Sequence, residues 1–220
     1  IDSFGNRSGI ETLIHMDEPK HLKLRKVARE WFLPRNVAKL DAQCRGLAKE
    51  YVDAMQEMGT ECDFARDIAV HYPVRVILNM LGLPAEDAPV IVKLTQELLG
   101  GQDPSQQRGT QEDIGASVIN DLLAYFTDII KDRKKNPTDD LSTVLATATI
   151  DGQPMDAMDQ MSYFIIAATA GHDTTSATIA GGMKALIEYP EQRRKWSDNA
   201  NLDLTAAKEL MRWVSPVRHM

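Results

Sequence analysis

Hydrophobic residues recur at three- and four-residue intervals along most of the chain, which is the spacing of amphipathic helices. This spacing predicts helices from Pro19 to near Pro34 and over 35–58, 63–81, 86–99, 112–135, 155–188, 191–197 and 205–214, with a short helix from Asp140. The residues 1–14 and 100–110 are predicted to be loops. Strand patterns are almost absent, although Ile150-Asp151-Gly152-Gln153 predicts the turn of a small hairpin. The pattern therefore indicates a mainly α protein.

The longest of these patterns runs from Met155 to Glu188 and is apolar on every side. A helix of this length would span roughly 50 Å, which exceeds the width of a small domain. Between Met161 and Met183 the only fully charged residue is Asp173, but seven polar residues within ten would be costly in lipid. We therefore expect a helix buried at the centre of a protein larger than 220 residues, and not a membrane span.

The middle of this helix carries Ala170-Gly171-His172-Asp173-Thr174-Thr175. A threonine hydroxyl can donate to the carbonyl four residues earlier, which links Thr174 to Ala170 and bends a helix. Small residues, a hydroxyl and a carboxyl at such a bend predict a groove in a dry core that suits a small molecule and a proton relay. The alternative is a satisfied polar pair in a helix–helix contact.

Two further pairs have helical spacing. His21 and Arg25 lie on one face at i,i+4 and could bind a carboxylate or phosphate, or form a solvated basic face. Glu209 and Arg212 lie at i,i+3, where a surface ion pair of little energetic weight is the alternative to a functional one.

Composition excludes several classes of protein. The chain has 32 acidic and 25 basic residues and a net charge of −7, which argues against a nucleic-acid binder. Two cysteines, Cys44 and Cys62, are too few for a disulfide scaffold and lack the spacing of metal ligands, so we expect them to be free and mostly buried. The first residues lack the features of a signal peptide, which favours the cytoplasm. Residues 20–45 hold eight basic against two acidic residues, which indicates either a docking patch for an acidic partner or a solvated face.

These features, in this order and at these separations, resemble the soluble bacterial cytochromes P450. The sequence AGHDTT at 170–175 is similar to the family's oxygen-binding motif in its long central helix. The pair Glu209 and Arg212 matches its ExxR motif, and His21 with Arg25 matches the HxxxR of its C-helix. The segments 62–84 and 94–100 are most similar to the α-terpineol hydroxylase branch. The resemblance implies an incomplete cytochrome P450 fold, with a long central helix surrounded by helices and little sheet.

The resemblance also implies roles for individual residues. His21 and Arg25 would bind the haem, and Ala170 and Gly171 would form the oxygen groove over it. Asp173 and Thr174 would deliver protons. Ile166, Ala167 and Val217 would line the substrate cavity, and Glu209 and Arg212 would be the structural ExxR pair.

The activity that the resemblance implies is that of a haem-thiolate monooxygenase. Such an enzyme would use haem b and O2 to hydroxylate a small apolar substrate such as a terpene, aromatic or alicyclic compound. Electrons would come from NAD(P)H through redox partners, with a ferredoxin docking on a basic patch formed by Lys20, Lys23, Lys26 and Arg29. No nucleic acid and no membrane is expected as a partner, and the expected location is cytoplasmic.

The chain also departs from the family pattern. The axial cysteine is expected beyond Met220, so no metal ligand is expected within 1–220, and neither Cys44 nor Cys62 matches its position. We therefore expect the middle part of a P450 domain, from the C-helix region through the ExxR helix, which lacks the N-terminal part and is inactive by itself. The alternative is a truncated P450-like helical core without haem-thiolate chemistry that self-associates through exposed apolar faces. An unrelated helical binding protein with coincidental motifs is a third hypothesis.

Overall fold

Helices account for nearly all regular structure in the computed structural model, which describes residues 11–99 and 111–217. The α-helices are α1 Lys20–Val27, α2 Pro34–Val37, α3 Asp41–Glu57, α4 His71–Leu81, α5 Ala88–Leu99, α6 Gln111–Lys135, α7 Leu141–Ala146, α8 Ala157–Ala170, α9 Asp173–Glu188, α10 Pro190–Ser197 and α11 Asp203–Val214. A π-helix covers Phe64–Ala69, and short 3-10 turns cover Leu13–His15, Ala38–Leu40, Ala85–Asp87 and Ala200–Leu202. The strands β1 Thr149–Ile150 and β2 Gln153–Pro154 pair antiparallel. The mainly α prediction is confirmed.

The core lies around α8. Its residues from Gln160 to Ile165 are buried without interruption, which requires neighbours on every side of the helix. Helices α4, α5, α6 and α7 supply those neighbours, and the Phe126 and Phe164 rings stack with centroids 5.1 Å apart. The buried Gln160 is satisfied, because its side-chain amide donates to the Ala146 carbonyl at 3.0 Å and accepts from Lys134. None of the helices in 11–99 and 111–217 is long and apolar enough to cross a membrane.

Several helix ends follow the sequence prediction. Asp63 accepts from the Arg66 N–H, and Asp140 accepts from the Thr143 N–H, so both act as N-caps. Gly82 ends α4 in the left-handed conformation with φ +63°, as a C-terminal glycine commonly does. The hairpin turn between β1 and β2 is also confirmed, with positive φ at both of its central residues.

Other predictions need correction. Helix α1 ends at Val27 instead of near Pro34, because the chain continues in separate hydrogen-bonded turns and Leu33 is extended before the proline. The continuous helix over 155–188 is divided into α8 and α9. Cys44 is half-buried but Cys62 is exposed, so the expectation that both are mostly buried is wrong. The predicted loop 100–110 lies outside the described residues.

A buried ion pair joins the ends of α4, α6 and α7. The Arg133 Nε donates to Asp140 Oδ2 at 2.7 Å, and its Nη2 donates to the Gly82 carbonyl at 2.6 Å. A Cβ on Gly82 would lie 2.1 Å from Asp140 Oδ2, so only glycine allows this approach. Burial opposes ionisation of Asp140, but hydrogen bonds from Thr138, Thr143 and Arg133 outweigh it and lower the pKa of its carboxyl. The charged form of Asp140 is therefore part of the folded structure.

We predict that Asp140→Asn lowers the free energy of unfolding by about 2 kcal/mol, because it removes the buried carboxylate of Arg133 and leaves the half-exposed Asp132 as its acidic partner. The exposed neighbour Asp139 provides the matched control, since Asp139→Asn makes the same charge change without a buried partner. Urea unfolding at neutral pH measures both.

The pH dependence follows from the lowered pKa. The contribution of Asp140 is complete above the pKa of an unfolded aspartate, about 3.9, and is lost as pH falls through the lower pKa of the folded state. The unfolding midpoints of the wild type and Asp140→Asn should therefore converge as the pH falls below the pKa of an unfolded aspartate and through the lower pKa of folded Asp140. A difference that persisted unchanged in acid would contradict this assignment.

Candidate functional site

The central helix is interrupted at Gly171 and His172. The His172 N–H donates to the Thr169 carbonyl at 3.2 Å, a three-residue spacing, and α9 begins at Asp173. Thr174 Oγ1 donates to the Ala170 carbonyl at 2.8 Å, so the hydrogen bond predicted from the sequence is confirmed. This bond spans the break and satisfies a carbonyl that the interruption would otherwise leave without a donor.

One face of this helix is open. Almost every residue of α8 from Gln160 onward is buried, but Ile166 and Ala167 are half-buried and Ala170 is exposed. Thr174, one turn further, is half-buried. Ala170 follows Ile166 by four residues and Ala167 by three, and Thr174 follows Ala170 by four, so these positions lie along one side of the central helix, which we call the open stripe. The expectation that this groove lies in a dry core is wrong for this chain, because the packed helices cover the other faces of α8 and leave this one accessible.

Gly171 has a packing role at the same place. A Cβ on Gly171 would lie 3.3 Å from Ile77 Cδ1 on α4, closer than most side-chain contacts. The small residue thus lets α4 approach the break, while the backbone at 170–171 remains exposed. The prediction that small residues leave space here is therefore accurate for Ala170, whereas at Gly171 the space is taken by Ile77.

The acid beside the break lies in a partly shielded environment. The Asp173 side chain is 38% exposed, and its Oδ1 lies 3.4 Å from Nδ1 of the fully buried His172. Burial raises the pKa of Asp173 and lowers the pKa of His172, so burial favours the uncharged form of both side chains. A carboxyl that can hold a proton and is still reached by solvent is suited to proton transfer.

Of the two residues predicted on α1, Arg25 acts electrostatically on α8. His21 is half-buried, with Nδ1 3.7 Å from Glu18 Oε1, and Arg25 is exposed one turn later. Burial raises the pKa of the Tyr163 hydroxyl, which the Ala28 backbone and the Arg25 charge partly oppose. Tyr163 precedes Ala167 by one turn of α8, so Arg25 is close to the start of this face.

The predicted basic patch is partly neutralised within the chain. Lys20 pairs with Glu11 at 2.8 Å and Asp159 at 3.0 Å, and Lys23 pairs with Asp151 at 2.5 Å. The other two members, Lys26 and Arg29, are exposed. These two residues are therefore the part of the patch best placed to meet a partner.

The remaining predicted residues lie on and after α11. Arg212 donates from Nε and Nη2 to the two carboxylate oxygens of Glu209, at 2.8 and 2.6 Å, and this two-point bond lowers the pKa of Glu209. Both side chains are more than half exposed. Glu209 also lines a cleft of about 720 Å³ between α9, α10 and α11. Val217 is 51% exposed at the end of the described chain.

His172 is a residue to which the sequence assigned no role. Its imidazole is fully buried, with Nε2 3.0 Å from the Val70 carbonyl and Nδ1 2.8 Å from Thr95 Oγ1. A histidine inside an otherwise apolar helix was the available signal, since such a group must find buried partners. Those partners are 102 and 77 residues away in sequence, so they could not be identified from spacing.

No protein-family model matches the chain, but several individual proteins are similar to it in sequence. It is 33% identical over 217 residues to cytochrome P450-terp of a Pseudomonas species and 36% identical over 212 residues to the methyl-branched lipid omega-hydroxylase of Mycobacterium tuberculosis. These alignments cover 95% of this chain but 51% and 49% of the relatives, so the chain spans about half their length.

Solved structures agree with the sequence comparison. CYP108D1 of Novosphingobium aromaticivorans superposes with a TM-score of 0.85 at 41% identity, over 96% of this chain and 49% of that one. The shared fold and the level of identity together show that the chain belongs to the cytochrome P450 family.

Proposed function

We propose that the chain is the middle part of a haem-thiolate monooxygenase that activates O2 to hydroxylate a small apolar substrate. The observation that carries this proposal is the interrupted central helix, where Thr174 spans the break next to a half-buried acid with a raised pKa. Two relatives named for P450 and hydroxylase activities, each matching almost the whole chain, support it. In this proposal the N-terminal part of the domain and the loop with the axial cysteine lie outside 1–220.

The residues of the open stripe fit a bound haem. Ile166, Ala167 and Ala170 form an apolar strip that is accessible on a helix otherwise buried, as a flat apolar ring requires. Arg25 and His21 on α1 would bind a haem carboxylate by charge and hydrogen bonding. The haem would supply the redox-active iron that oxygen activation requires, with its thiolate ligand from the loop beyond Met220.

Asp173 and Thr174 would handle protons on this face. Asp173 is exposed enough to exchange a proton with water and buried enough for its raised pKa to favour the protonated carboxyl. The Thr174 hydroxyl gives its hydrogen to the Ala170 carbonyl, which leaves its oxygen free to accept a proton from another donor. Rotation away from Ala170 would then pass a hydrogen into the site, so the pair can act as a relay.

The open stripe and helix α1 also support a substrate class and a redox partner for this proposal. Ile166, Ala167 and Val217 would line the substrate cavity, and their small or branched apolar side chains suit a terpene, aromatic or alicyclic molecule. A ferredoxin would deliver electrons from NAD(P)H at the basic patch, chiefly through Lys26 and Arg29, because Lys20 and Lys23 already have acidic partners. We place such an enzyme in the cytoplasm.

A second candidate concerns the 220-residue chain by itself. Large apolar side chains are exposed on and around α9 and α11, among them Ile187, Leu204, Met211 and Trp213. A chain with this surface would self-associate, since exposed apolar area of this kind favours contact with other apolar surface. In this candidate the chain is a helical core without catalysis.

We predict that the dithionite-reduced full-length protein under carbon monoxide shows the strongly red-shifted Soret band of a haem thiolate. The 220-residue chain should lack that band, because neither Cys44 nor Cys62 matches the position of the axial cysteine, which this proposal places beyond Met220. The same band from the short chain would overturn the proposed position of the axial cysteine, and its absence from the full-length protein would refute the haem-thiolate assignment.

We also predict that Thr174→Ala in the full-length protein diverts electrons from product to peroxide. Product per NAD(P)H consumed should fall by about tenfold or more, because a positioned proton donor contributes roughly 10²- to 10⁴-fold to a rate, while substrate affinity is retained. Thr178→Ala is the control, because Thr178 makes the same backbone bond one turn later, to the Thr174 carbonyl at 2.8 Å. Full coupling in Thr174→Ala would remove this hydroxyl from the relay.

A third prediction tests whether the Glu209–Arg212 pair has a structural role or is only a surface contact. Arg212→Ala should abolish haem incorporation in the full-length protein, yet change the unfolding of the 220-residue chain little, because the pair is exposed there. Arg194→Ala on α10 removes an equally exposed cation and serves as the control. A haem-loaded, stable Arg212→Ala protein would show that the pair is a surface contact only.

A further inference from the structure

His172 lies at the break but takes no part in the relay described above. Its side chain is completely buried, and its backbone both ends α8 and begins α9, because its carbonyl accepts from the Ser176 N–H at 2.9 Å. A buried imidazole next to a proposed catalytic acid must have a defined protonation state, since each of its nitrogens is either a donor or an acceptor. The neighbouring groups determine that state.

The Val70 carbonyl determines that Nε2 of His172 is protonated. It lies 3.0 Å from Nε2, and because a carbonyl can only accept, Nε2 must carry a hydrogen. This bond ties the break to the residue that links the π-helix with α4. His172 thus connects the middle of the central helix to a segment about one hundred residues earlier in sequence.

The Thr95 hydroxyl is the hydrogen-bond partner of the second ring nitrogen, Nδ1. Oγ1 of Thr95 lies 2.8 Å from His172 Nδ1 and also 2.8 Å from the Ile91 carbonyl, but a hydroxyl has one hydrogen to donate. The complete burial of the ring and its lowered pKa favour the neutral imidazole, and in that form Thr95 donates to Nδ1 and not to the Ile91 or Val92 carbonyl, which lie 2.8 and 3.0 Å away. If the ring gained a proton, the same hydroxyl would accept from Nδ1 and donate to Ile91 instead.

The charged and titratable groups facing His172 are few. Among the described residues, Asp173 Oδ1 is 3.4 Å from Nδ1, His71 at the start of α4 also lowers the pKa of the ring, and α5 contributes the uncharged Thr95. With Thr95 occupying Nδ1, the imidazole does not need a hydrogen bond or an ion pair from Asp173. The Asp173 carboxyl therefore remains available to the open stripe.

We propose that His172 is a positioning residue for Asp173: the Val70 carbonyl and the Thr95 hydroxyl hold it as a neutral imidazole that fixes the break and keeps the carboxyl free. The inference rests on the proposed function, because a free Asp173 carboxyl has a use only in the proposed proton relay. Thr95 therefore also contributes to positioning Asp173, although it lies on α5 and outside the open stripe.

The test removes the Thr95 hydroxyl and then restores it. In Thr95→Val, Asp173 becomes the remaining partner of Nδ1, which favours a charged imidazole paired with a carboxylate. Nitrogen-15 NMR of labelled histidine in the full-length protein, in its diamagnetic ferrous carbon monoxide form, should show the His172 titration midpoint rising by about one pH unit. Thr95→Ser keeps the hydroxyl and should retain the wild-type midpoint and the Nε2–H tautomer.

Catalysis provides the second readout. Product per NAD(P)H consumed should fall about three- to tenfold in Thr95→Val and recover in Thr95→Ser, at unchanged haem content and substrate affinity. A merely structural role would lower thermal stability and haem content without moving the midpoint or the coupling, and that result would overturn the proposal. So would a doubly protonated or Nδ1–H imidazole in the wild type at neutral pH.

The two proposals can fail separately. A full-length protein that bound no haem would refute the proposed function, but the same NMR titration of the haem-free protein would still measure the dependence of His172 on Thr95. An unchanged midpoint in haem-free Thr95→Val would overturn the role of Thr95 and His172, and a raised midpoint that Thr95→Ser reverses would support it.

Discussion

The structure depends on how the interrupted central helix satisfies its hydrogen bonds. At a break, backbone groups lose partners, and a buried group left without one costs about 1–3 kcal/mol. Here the Thr174 hydroxyl serves the Ala170 carbonyl, and the His172 side chain makes its bonds to other elements. The Ala170 carbonyl is on the exposed side of the break, whereas the buried His172 side chain takes its partners from the start of α4 and from α5, so the packing of these elements and the geometry of the break depend on each other.

The surroundings of α8 explain why one face of this helix is available for chemistry. Helices α4 to α7 bury its other positions, and Gly171 lets Ile77 of α4 approach the break closely. A helix buried on its other sides presents one accessible strip, and its members on α8, Ile166, Ala167 and Ala170, are apolar. The partly exposed carboxyl of Asp173 lies within one turn of that strip, which is the arrangement that the proposed proton relay requires.

Polar contacts at a distance from the site determine its position. The Arg133–Asp140 pair with the Gly82 carbonyl joins the ends of three helices that surround α8. On the opposite end of the chain, Gly182 admits Leu210 of α11 against α9, and the Glu209–Arg212 pair lies on that helix. This pair is exposed, and Glu209 also lines the neighbouring cleft between α9, α10 and α11.

Local patterns were sufficient to predict the helical class, most helix ends and the motif at the break. Asp63, Gly82 and Asp140 cap their helices, and Thr174 bonds to Ala170, because each interaction involves residues within a few positions along the chain. Tertiary structure alone decided that the groove is open, that Lys20 and Lys23 are already paired, and that His172 is a buried connection to Val70 and Thr95. These features depend on atoms brought together from distant parts of the sequence, and no periodicity or spacing along one segment determines which distant atoms will meet.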